Sequence, residues 1–442
     1  MDICKLRLKS DLVFAKALIF ILRNIIRTNA TSLPGKIMLK IRPNILTQIG
    51  GLCKKHTITV TGTNGKTTTS GLIANILSLA DNEVVHNAEG ANMLTGVLTA
   101  ALNKLPLSGQ ADYFVFESDE AYLSKLYDYI SADSLVVTNL FRDQLDRYGE
   151  LATTADKIKK AILKNPNLKV ILNADDPMLY TLGTDRQTVF FGFDEIEFTN
   201  DCASSTSPAE TATCTCGKDF EYTKSFYSHV GHWGCKCGIS RPKPKYRAIA
   251  KIGKEYTEIK VNDTYTFKVY IPNIYNAYNA LAAIAATLEE GIDAKTIQAA
   301  LDGYKPAFGR AEHKIINGKK VFVQLIKNPT GATEVLRTIN AYKENSVLFI
   351  AINDNYADGR DVSWLWDSDF EILRDYPNKI IISGIRALDM ALRLKYAGVN
   401  KDKMIIEKNL KKSFNLALDM TDKDSQLLVM PTYTALLELD KM

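Results

Sequence analysis

Short apolar runs recur along the chain, separated by stretches whose apolar positions fall three or four residues apart. Residues 57–61, 112–116 (Asp-Tyr-Phe-Val-Phe), 134–138 (Ser-Leu-Val-Val-Thr) and 169–172 read as buried strands, and residues 66–80 as a helix after the first. Strands alternating with helices predict a parallel sheet covered on both faces, an α/β fold. Polar alternation over 246–271 gives way to a helix from about Tyr275 that is rich in small apolar residues and carries Asn276 and Asn279 on one face. After Phe308-Gly309-Arg310-Ala311-Glu312 the alternation restarts, with strands expected near 321–326, 346–352, 379–384 and 426–430. The pattern divides the chain into a short N-terminal segment (1–50) packing on a central domain (51–310), and a smaller α/β domain (311–442) of about 130 residues, an ordinary size for one core.

Residues 12–22 form the most apolar run near the start, interrupted by Lys16 and followed by Arg23 and Arg27. It is too short to span a bilayer and lacks a signal-peptide cleavage pattern, so a cytoplasmic protein is expected. Two readings stand: an amphipathic helix packed on the body, or contact with a membrane surface. A formal charge of +5 over 442 residues is a weak excess, which argues against a dedicated nucleic-acid binder.

An insertion over about 202–242 turns rich in Ser, Thr, Ala and Cys. Cys214, Cys216, Cys235 and Cys237 make two Cys-x-Cys pairs, a grouping that in a reducing compartment favours a structural, four-sulfur zinc site over disulfides. The usual ribbon spacing is Cys-x-x-Cys, so Cys202, His229 and His232 are held as substitute ligands, and a set of small buried residues without metal is the plainer alternative.

Residues 57–69, Thr-Ile-Thr-Val-Thr-Gly-Thr-Asn-Gly-Lys-Thr-Thr-Thr, read as strand, glycine turn and helix start. Backbone N–H groups around Gly62, Thr63, Asn64 and Gly65 converge on an anion, the helix start adds its positive end, and Lys66 adds a formal charge. Thr67 or Thr68 offers a hydroxyl to magnesium. Val60 stands where the general P-loop has its first glycine. Glu117 ends a strand in Phe-Glu-Ser-Asp-Glu-Ala, within reach of a metal with Asp119 and Glu120, although Asp119 reads more readily as solvated charge. The dense polar segment 138–150 follows another strand; in it Asn139 can orient a nucleotide or metal-bound water, and Arg142 and Arg147 can meet phosphate or carboxylate. A third concentration, 353–367, sets four aspartates and two tryptophans beside a glycine turn, as a site, an interface or a set of turn formers.

These residues resemble the Mur ligase superfamily, and within it the MurT family. The cradle, Asn-Ala-Tyr-Asn-Ala and Gly-Arg-Ala-Glu carry the wider resemblance. Thr-Ser-Leu-Pro-Gly-Lys at 31–36, the Asn139–Glu150 segment with Gln144 where ordinary ligases have histidine, the cysteine insertion with Ser-His-Val-Gly-His, Lys-Asn-Pro-Thr-Gly at 327–331 and Asp-Gly-Arg-Asp-Val-Ser-Trp carry the narrower one. Only about fifty residues precede the cradle, too few for the uridine-nucleotide domain of ordinary ligases.

The resemblance implies a Mur-ligase-like central P-loop ATPase domain with an inserted zinc ribbon and a Rossmann-like C-terminal domain. It implies ATP-dependent amidation, through an acyl phosphate, of the D-glutamate α-carboxylate in the lipid II stem peptide, at the inner face of the cytoplasmic membrane. Ammonia would come from a GatD-like glutaminase partner, contacted by the C-terminal domain. The implied ATP and Mg2+ residues are Gly62 to Thr68, Glu117, Asn139, Asn276 and Arg310. Lys66 and Glu117 serve the chemistry, and Asp361 (alternatively Asp358, Asp367 or Asp354) completes the partner's Cys–His pair. Two rival readings are a related ligase adding an amino acid, as folylpolyglutamate synthases do, and a nucleotide-switched binding protein using the ribbon and the five positive charges of residues 241–251.

Overall fold

Cys53–Thr61 forms strand β1, which is buried at every position from Thr57 on. β-branched residues pack well there because the sheet is covered on both faces. The computed structural model describes residues 3–26, 30–88, 91–141, 151–184, 186–199, 212–253, 255–271, 273–304, 309, 312–340 and 342–441. It forms two units, one holding most of the chain up to Tyr304 and the other the chain from Gly309 on.

In the first unit helices α1 (Ile3–Asn24), α2 (Leu33–Ile41) and α3 (Ile45–Gly50) precede β1, and α4 (Lys66–Leu79) follows it. Then come β2 (Val84–His86), α5 (Leu94–Lys104), β3 (Ala111–Glu117), α6 (Glu120–Leu126), β4 (Ser134–Val137), α7 (Leu151–Lys164), β5 (Lys169–Asn173) and β6 (Thr188–Phe198). The hairpin β7 (Glu221–Tyr227) and β8 (Val230–Gly234) is followed by β9 (Tyr246–Ile252), β10 (Thr257–Val261), β11 (Tyr265–Val269), α8 (Ile274–Glu289) and α9 (Ala294–Asp302). The main sheet runs β11-β10-β9-β6-β5-β4-β1-β3-β2, parallel from β6 through β2 and antiparallel among β9, β10 and β11.

The α1, α2, α3 and α5 helices bury Leu12, Met38, Ile45 and Leu98 with Phe114 and Phe116 of β3. On another face Leu123, Ile158 and Ile162 pack on Leu135 and Val170. Val60 of β1 pairs with Glu117 of β3, and Thr61 with Val137 of β4, so three strands end together at one carboxyl edge.

The inserted hairpin is fastened through Asn173-Ala-Asp-Asp176. Trp233 Nε1 donates to Ala174 O (2.9 Å), and Gly231 N to Asp175 O (2.9 Å). The fully buried Asp175 carboxylate accepts from Arg241 Nε at 2.6 Å, Tyr278 OH at 2.7 Å and Phe193 N at 2.8 Å. Burial pushes this carboxyl up, against the pull of Arg241. A buried charge is tolerated when paired and fully hydrogen-bonded, so one side chain ties insertion, sheet and α8 together.

The second unit comprises β12 (Glu312–Ile316), β13 (Lys319–Val323), α10 (Pro329–Asn340), β14 (Ser346–Ala351), α11 (Trp364–Asp367), β15 (Ile380–Ser383), α12 (Ala387–Tyr396), β16 (Met404–Ile406), α13 (Leu410–Asp419), β17 (Gln426–Pro431) and α14 (Tyr433–Leu439). Its sheet runs β12-β13-β17-β14-β15-β16, antiparallel only at β12–β13. That hairpin turns on Asn317-Gly318, both at positive φ, as the tight two-residue hairpin turn requires. Helices cover both faces, with Leu336, Phe370 and Leu394 on one and Phe414, Ala417 and Leu436 on the other.

Replacing Asp175 by Ala leaves Arg241 and Tyr278 without their buried acceptor; we expect about 3–5 kcal/mol of lost stability. Urea denaturation monitored by tryptophan fluorescence reads this as a lowered midpoint.

Candidate functional site

The cradle begins where β1 stops. Gly62 has φ 127° and a Cβ there would stand 2.3 Å from Thr138 Oγ1, so only glycine lets the loop turn this close to β4. Gly65 has φ 84°, and its missing Cβ leaves room for the Asn279 amide, whose Oδ1 lies 1.9 Å from where that Cβ would be. Asn139 holds the loop from outside. Its Oδ1 accepts from Asn64 N (2.9 Å), its Nδ2 donates to Asn64 O (3.1 Å), and its carbonyl accepts from Thr63 N (2.9 Å). Thr138 Oγ1 donates to Asn64 O (2.7 Å). Asn139 therefore shapes the cradle from behind, with its amide committed to loop backbone.

Lys66, Thr67 and Thr68 open α4, all buried. Lys66 Nζ reaches back to Gly62 O (2.5 Å) and Thr63 O (3.3 Å), and pairs with Glu120 at 3.3 Å. At the end of β3, Glu117 is pinned through its backbone to Asn87 (2.8 and 2.9 Å), and its Oε1 accepts from Asn92 Nδ2 (3.2 Å). Glu117 Oε2 is buried with no hydrogen-bond partner among the described residues. A buried carboxylate oxygen without a hydrogen-bond partner, at the sheet edge that carries the cradle, is a donor suited to a hard divalent cation.

The structure corrects the expectation for Asp119, which is buried and caps α6 by accepting from Ala121 N (2.9 Å). Asn276 and Asn279 share the first turns of α8, joined at 3.4 Å. Arg310, and Arg142, Gln144 and Arg147 of the polar segment, lie outside the described residues, as does Cys202. Glu120, expected within reach of a metal with Glu117, is instead paired with Lys66, and Asn279, expected on one helix face with Asn276, lies against Gly65; neither contact was expected from the sequence.

In the insertion the four Sγ atoms of Cys214, Cys216, Cys235 and Cys237 lie within 4.8 Å of one another, with Cys214–Cys237 at 3.7 Å and Cys216–Cys235 at 3.5 Å. Four sulfurs bonded to zinc at its usual length stand about 3.8 Å apart in a tetrahedron, so the group is compatible with that ion. Two matching turns present them: Cys214 N donates to Lys218 O and Cys235 N to Ile239 O (2.7 Å each), and Gly217 and Gly238 follow at positive φ. The histidines are employed elsewhere, which removes them as substitute ligands. His229 Nε2 meets Asp176 Oδ1 at 3.2 Å, fully buried, and His232 Nε2 meets Phe193 O at 2.8 Å.

The aspartates of 353–367 belong to the second unit and differ in their commitments. Asp354 pairs with Arg386 (2.8 Å), and Asp358 binds Thr434 N (2.7 Å) and its hydroxyl (2.5 Å), closing the loop. Asp361 is half-buried and, among the described residues, accepts only from Ser363 N (2.8 Å), and Asp367 is exposed. Trp364 is buried, whereas Trp366 stands out against Tyr396 with ring centroids 5.6 Å apart.

A parallel sheet with a phosphate cradle at its carboxyl edge, a cysteine knuckle insertion and a second α/β unit describe a Mur-type ligase. Residues 60–227 match the Mur ligase middle domain family and residues 325–436 the MurT ligase C-terminal family. The chain is 36% identical over 417 residues to the Streptococcus pneumoniae protein named lipid II isoglutaminyl synthase (glutamine-hydrolyzing) subunit MurT, covering 93% of this chain and 92% of that one. It is 33% identical over 408 residues to the Staphylococcus aureus protein of the same name, covering 92% and 91%. Among solved structures, a pseudomurein peptide ligase type C from Methanothermus fervidus shares the fold at a TM-score of 0.68 and 24% identity, over 88% of this chain and 78% of that one. The chain belongs to the MurT family.

Beside the cradle, His86 Nε2 meets Ser70 Oγ of α4 at 3.1 Å, and burial, with Lys104 nearby, pushes its pKa down from 6.5 to about 4. Between these values the unfolded chain binds a proton that the folded one refuses, so stability falls on acidification from about pH 6.5 to 4. Urea midpoints across that range are expected to fall less steeply in His86→Gln.

Proposed function

We propose that this chain is the synthetase subunit of a lipid II isoglutaminyl synthase, amidating the D-glutamate α-carboxylate of the stem peptide to D-isoglutamine. The carboxylate oxygen attacks the γ-phosphorus of ATP, ADP leaves, and ammonia then displaces phosphate from the acyl phosphate to give the amide. The observation that carries the reading is the pairing of the glycine cradle and Lys66 with the open, buried Oε2 of Glu117 at one sheet edge. The names of the two relatives supply the substrate.

In this reading Gly62 to Thr68 bind the nucleotide phosphates, with backbone N–H groups and the α4 N-terminus aimed at charge that develops during transfer. Thr67 and Glu117 would hold magnesium, which when bound supplies charge neutralisation across the transferred phosphoryl group. Asn276 and Arg310 complete the nucleotide contacts, Asn276 from the start of α8. The cysteine knuckles hold a structural zinc. Residues 51–310 form the ligase domain on which 1–50 packs, acting at the inner face of the membrane, and 311–442 meets a GatD-like glutaminase that releases ammonia from glutamine. Leu388, Leu392 and Tyr396 on α12, exposed in a row four residues apart with Trp366 beside Tyr396, offer that partner an apolar contact. Asp361, the least committed half-buried aspartate of its loop, is assigned to the partner's Cys–His pair.

Co-expression with a GatD-like glutaminase and assay with ATP, glutamine and lipid II should yield a product differing from substrate only by NH2 in place of OH. Addition of a whole residue would instead identify an amino-acid ligase. Glu117→Gln is expected to lower amidation about 100-fold or more. Asp361→Asn should abolish glutamine-driven amidation while free ammonia still supports it; if none of Asp354, Asp358, Asp361 and Asp367 affects glutamine hydrolysis, the shared triad is wrong.

Elemental analysis is expected to find about one zinc per chain, since four thiolates close a structural site. Cys216→Ser should lose the metal and lower the thermal midpoint.

A further inference from the structure

Helix α1 is apolar on two opposite faces. Leu12, Ala15, Ile19 and Leu22, three or four residues apart, are buried, Leu12 and Ala15 within the core shared with α2, α3 and α5. The opposite face carries Val13, Phe14, Ala17, Phe20 and Ile21 into solvent and continues into Ile25 and Ile26 just past the helix; Phe14 is 51% exposed, Phe20 62% and Ile25 68%. A surface helix ordinarily keeps its outer face polar, and a contiguous apolar strip of this length marks a contact. The charge around it has one sign. Residues 1–42 hold nine Lys and Arg against two Asp, a formal +7, whereas the entire chain totals only +5. Asp11 is itself neutralised by Arg42 at 2.7 Å. Exposed Lys9 lies along the flank of the strip, and neighbouring α2 adds exposed Leu33, Lys36, Lys40 and Ile41.

We infer that the outer face of α1 docks flat on an anionic lipid surface. Apolar side chains flanked by lysine and arginine match the boundary between acyl chains and negative headgroups, where long basic side chains extend toward phosphate. A protein partner of α1 would satisfy the apolar strip but would leave the +7 of this segment without its counterpart. The helix lies on the surface rather than crossing it: no described helix is long and apolar enough to span a bilayer, and the inner face of α1 is held in the core. The inference draws its purpose from the lipid-linked substrate proposed above, but its support from α1 alone.

The test uses the full chain and vesicles free of lipid II, so that failure of docking is separate from failure of the amidation reading. Flotation with equimolar phosphatidylglycerol and phosphatidylcholine should carry the protein, with phosphatidylcholine alone leaving it behind, and roughly 0.5 M salt should weaken the binding. The triple variant Phe14→Ser, Phe20→Ser, Ile25→Ser alters exposed positions only; it is expected to keep the thermal midpoint and lose about tenfold or more of the binding. Lys9→Gln, Lys36→Gln, Lys40→Gln should shift the salt dependence in the same direction. No flotation with anionic vesicles, or equal flotation of the Phe14, Phe20, Ile25 variant, overturns the inference. So does a concentration-dependent dimer of the wild type, seen by sedimentation velocity without lipid, that this variant abolishes, because the strip would then be a self-association face.

Discussion

The phosphate cradle depends on the register of β1 against its two parallel neighbours. With Val60 beside Glu117 and Thr61 beside Val137, the chain must leave three adjacent strands at the same height, and the first residues beyond each are forced together. Gly62 turns against Thr138, Asn139 fastens Asn64, and Glu117 emerges beside the start of α4. A slip of one residue in β3 would turn Glu117 to the other face of the sheet and replace it by Phe116 or Ser118. The heavily buried strands on both sides make that slip costly, so the register is a packing property that the site inherits.

The parts of this arrangement that were legible in the sequence are those decided by local chemistry. A glycine that must adopt positive φ, a lysine at a helix start and a carboxylate ending an apolar run announce themselves in single segments, and most main strands follow from the length and β-branching of their runs. What escaped was decided by partners distant in sequence. Glu120 becomes the counter-charge of Lys66 only once β3 is laid beside β1, and Asn279 reaches Gly65 across two hundred residues. His229 was weighed as a zinc ligand because it lies near the cysteines in sequence, but the fold carries it to Asp176. Asn317-Gly318, by contrast, did carry a local signal, the hairpin dipeptide that explains the antiparallel β12 preceding β13.

Buried polar groups do the joining in both units. In the first, Asp175 gathers Arg241, Tyr278 and Phe193; in the second, Arg393 binds Glu371 at 2.7 Å and the carbonyls of Leu365 (2.9 Å) and Ser368 (2.7 Å), fixing the chain that follows the aspartate loop. Each such group is costly unless every partner is present, which makes these joints more demanding of geometry than apolar contact would be. Intramolecular pairing also accounts for much of the basic segment of residues 241–251, half-buried at Arg241 and exposed at Lys245 and Arg247. Arg241, Lys245 and Arg247 are engaged with Asp175, Glu289 and Asp263, so their charge serves the fold and leaves little for an external polyanion.

The Lys66–Glu120 pair has an electrostatic corollary for whatever enters the cradle. Glu120 sits against the Lys66 ammonium, and Glu117, three residues before it, ends β3 at the same sheet edge, both carboxylates buried. A bare polyphosphate arriving there would deepen an existing excess of negative charge where water screens poorly. The same polyphosphate escorted by a divalent cation would relieve it. In the proposed reaction these carboxylates would therefore favour entry of the metal complex of a nucleotide over the free anion.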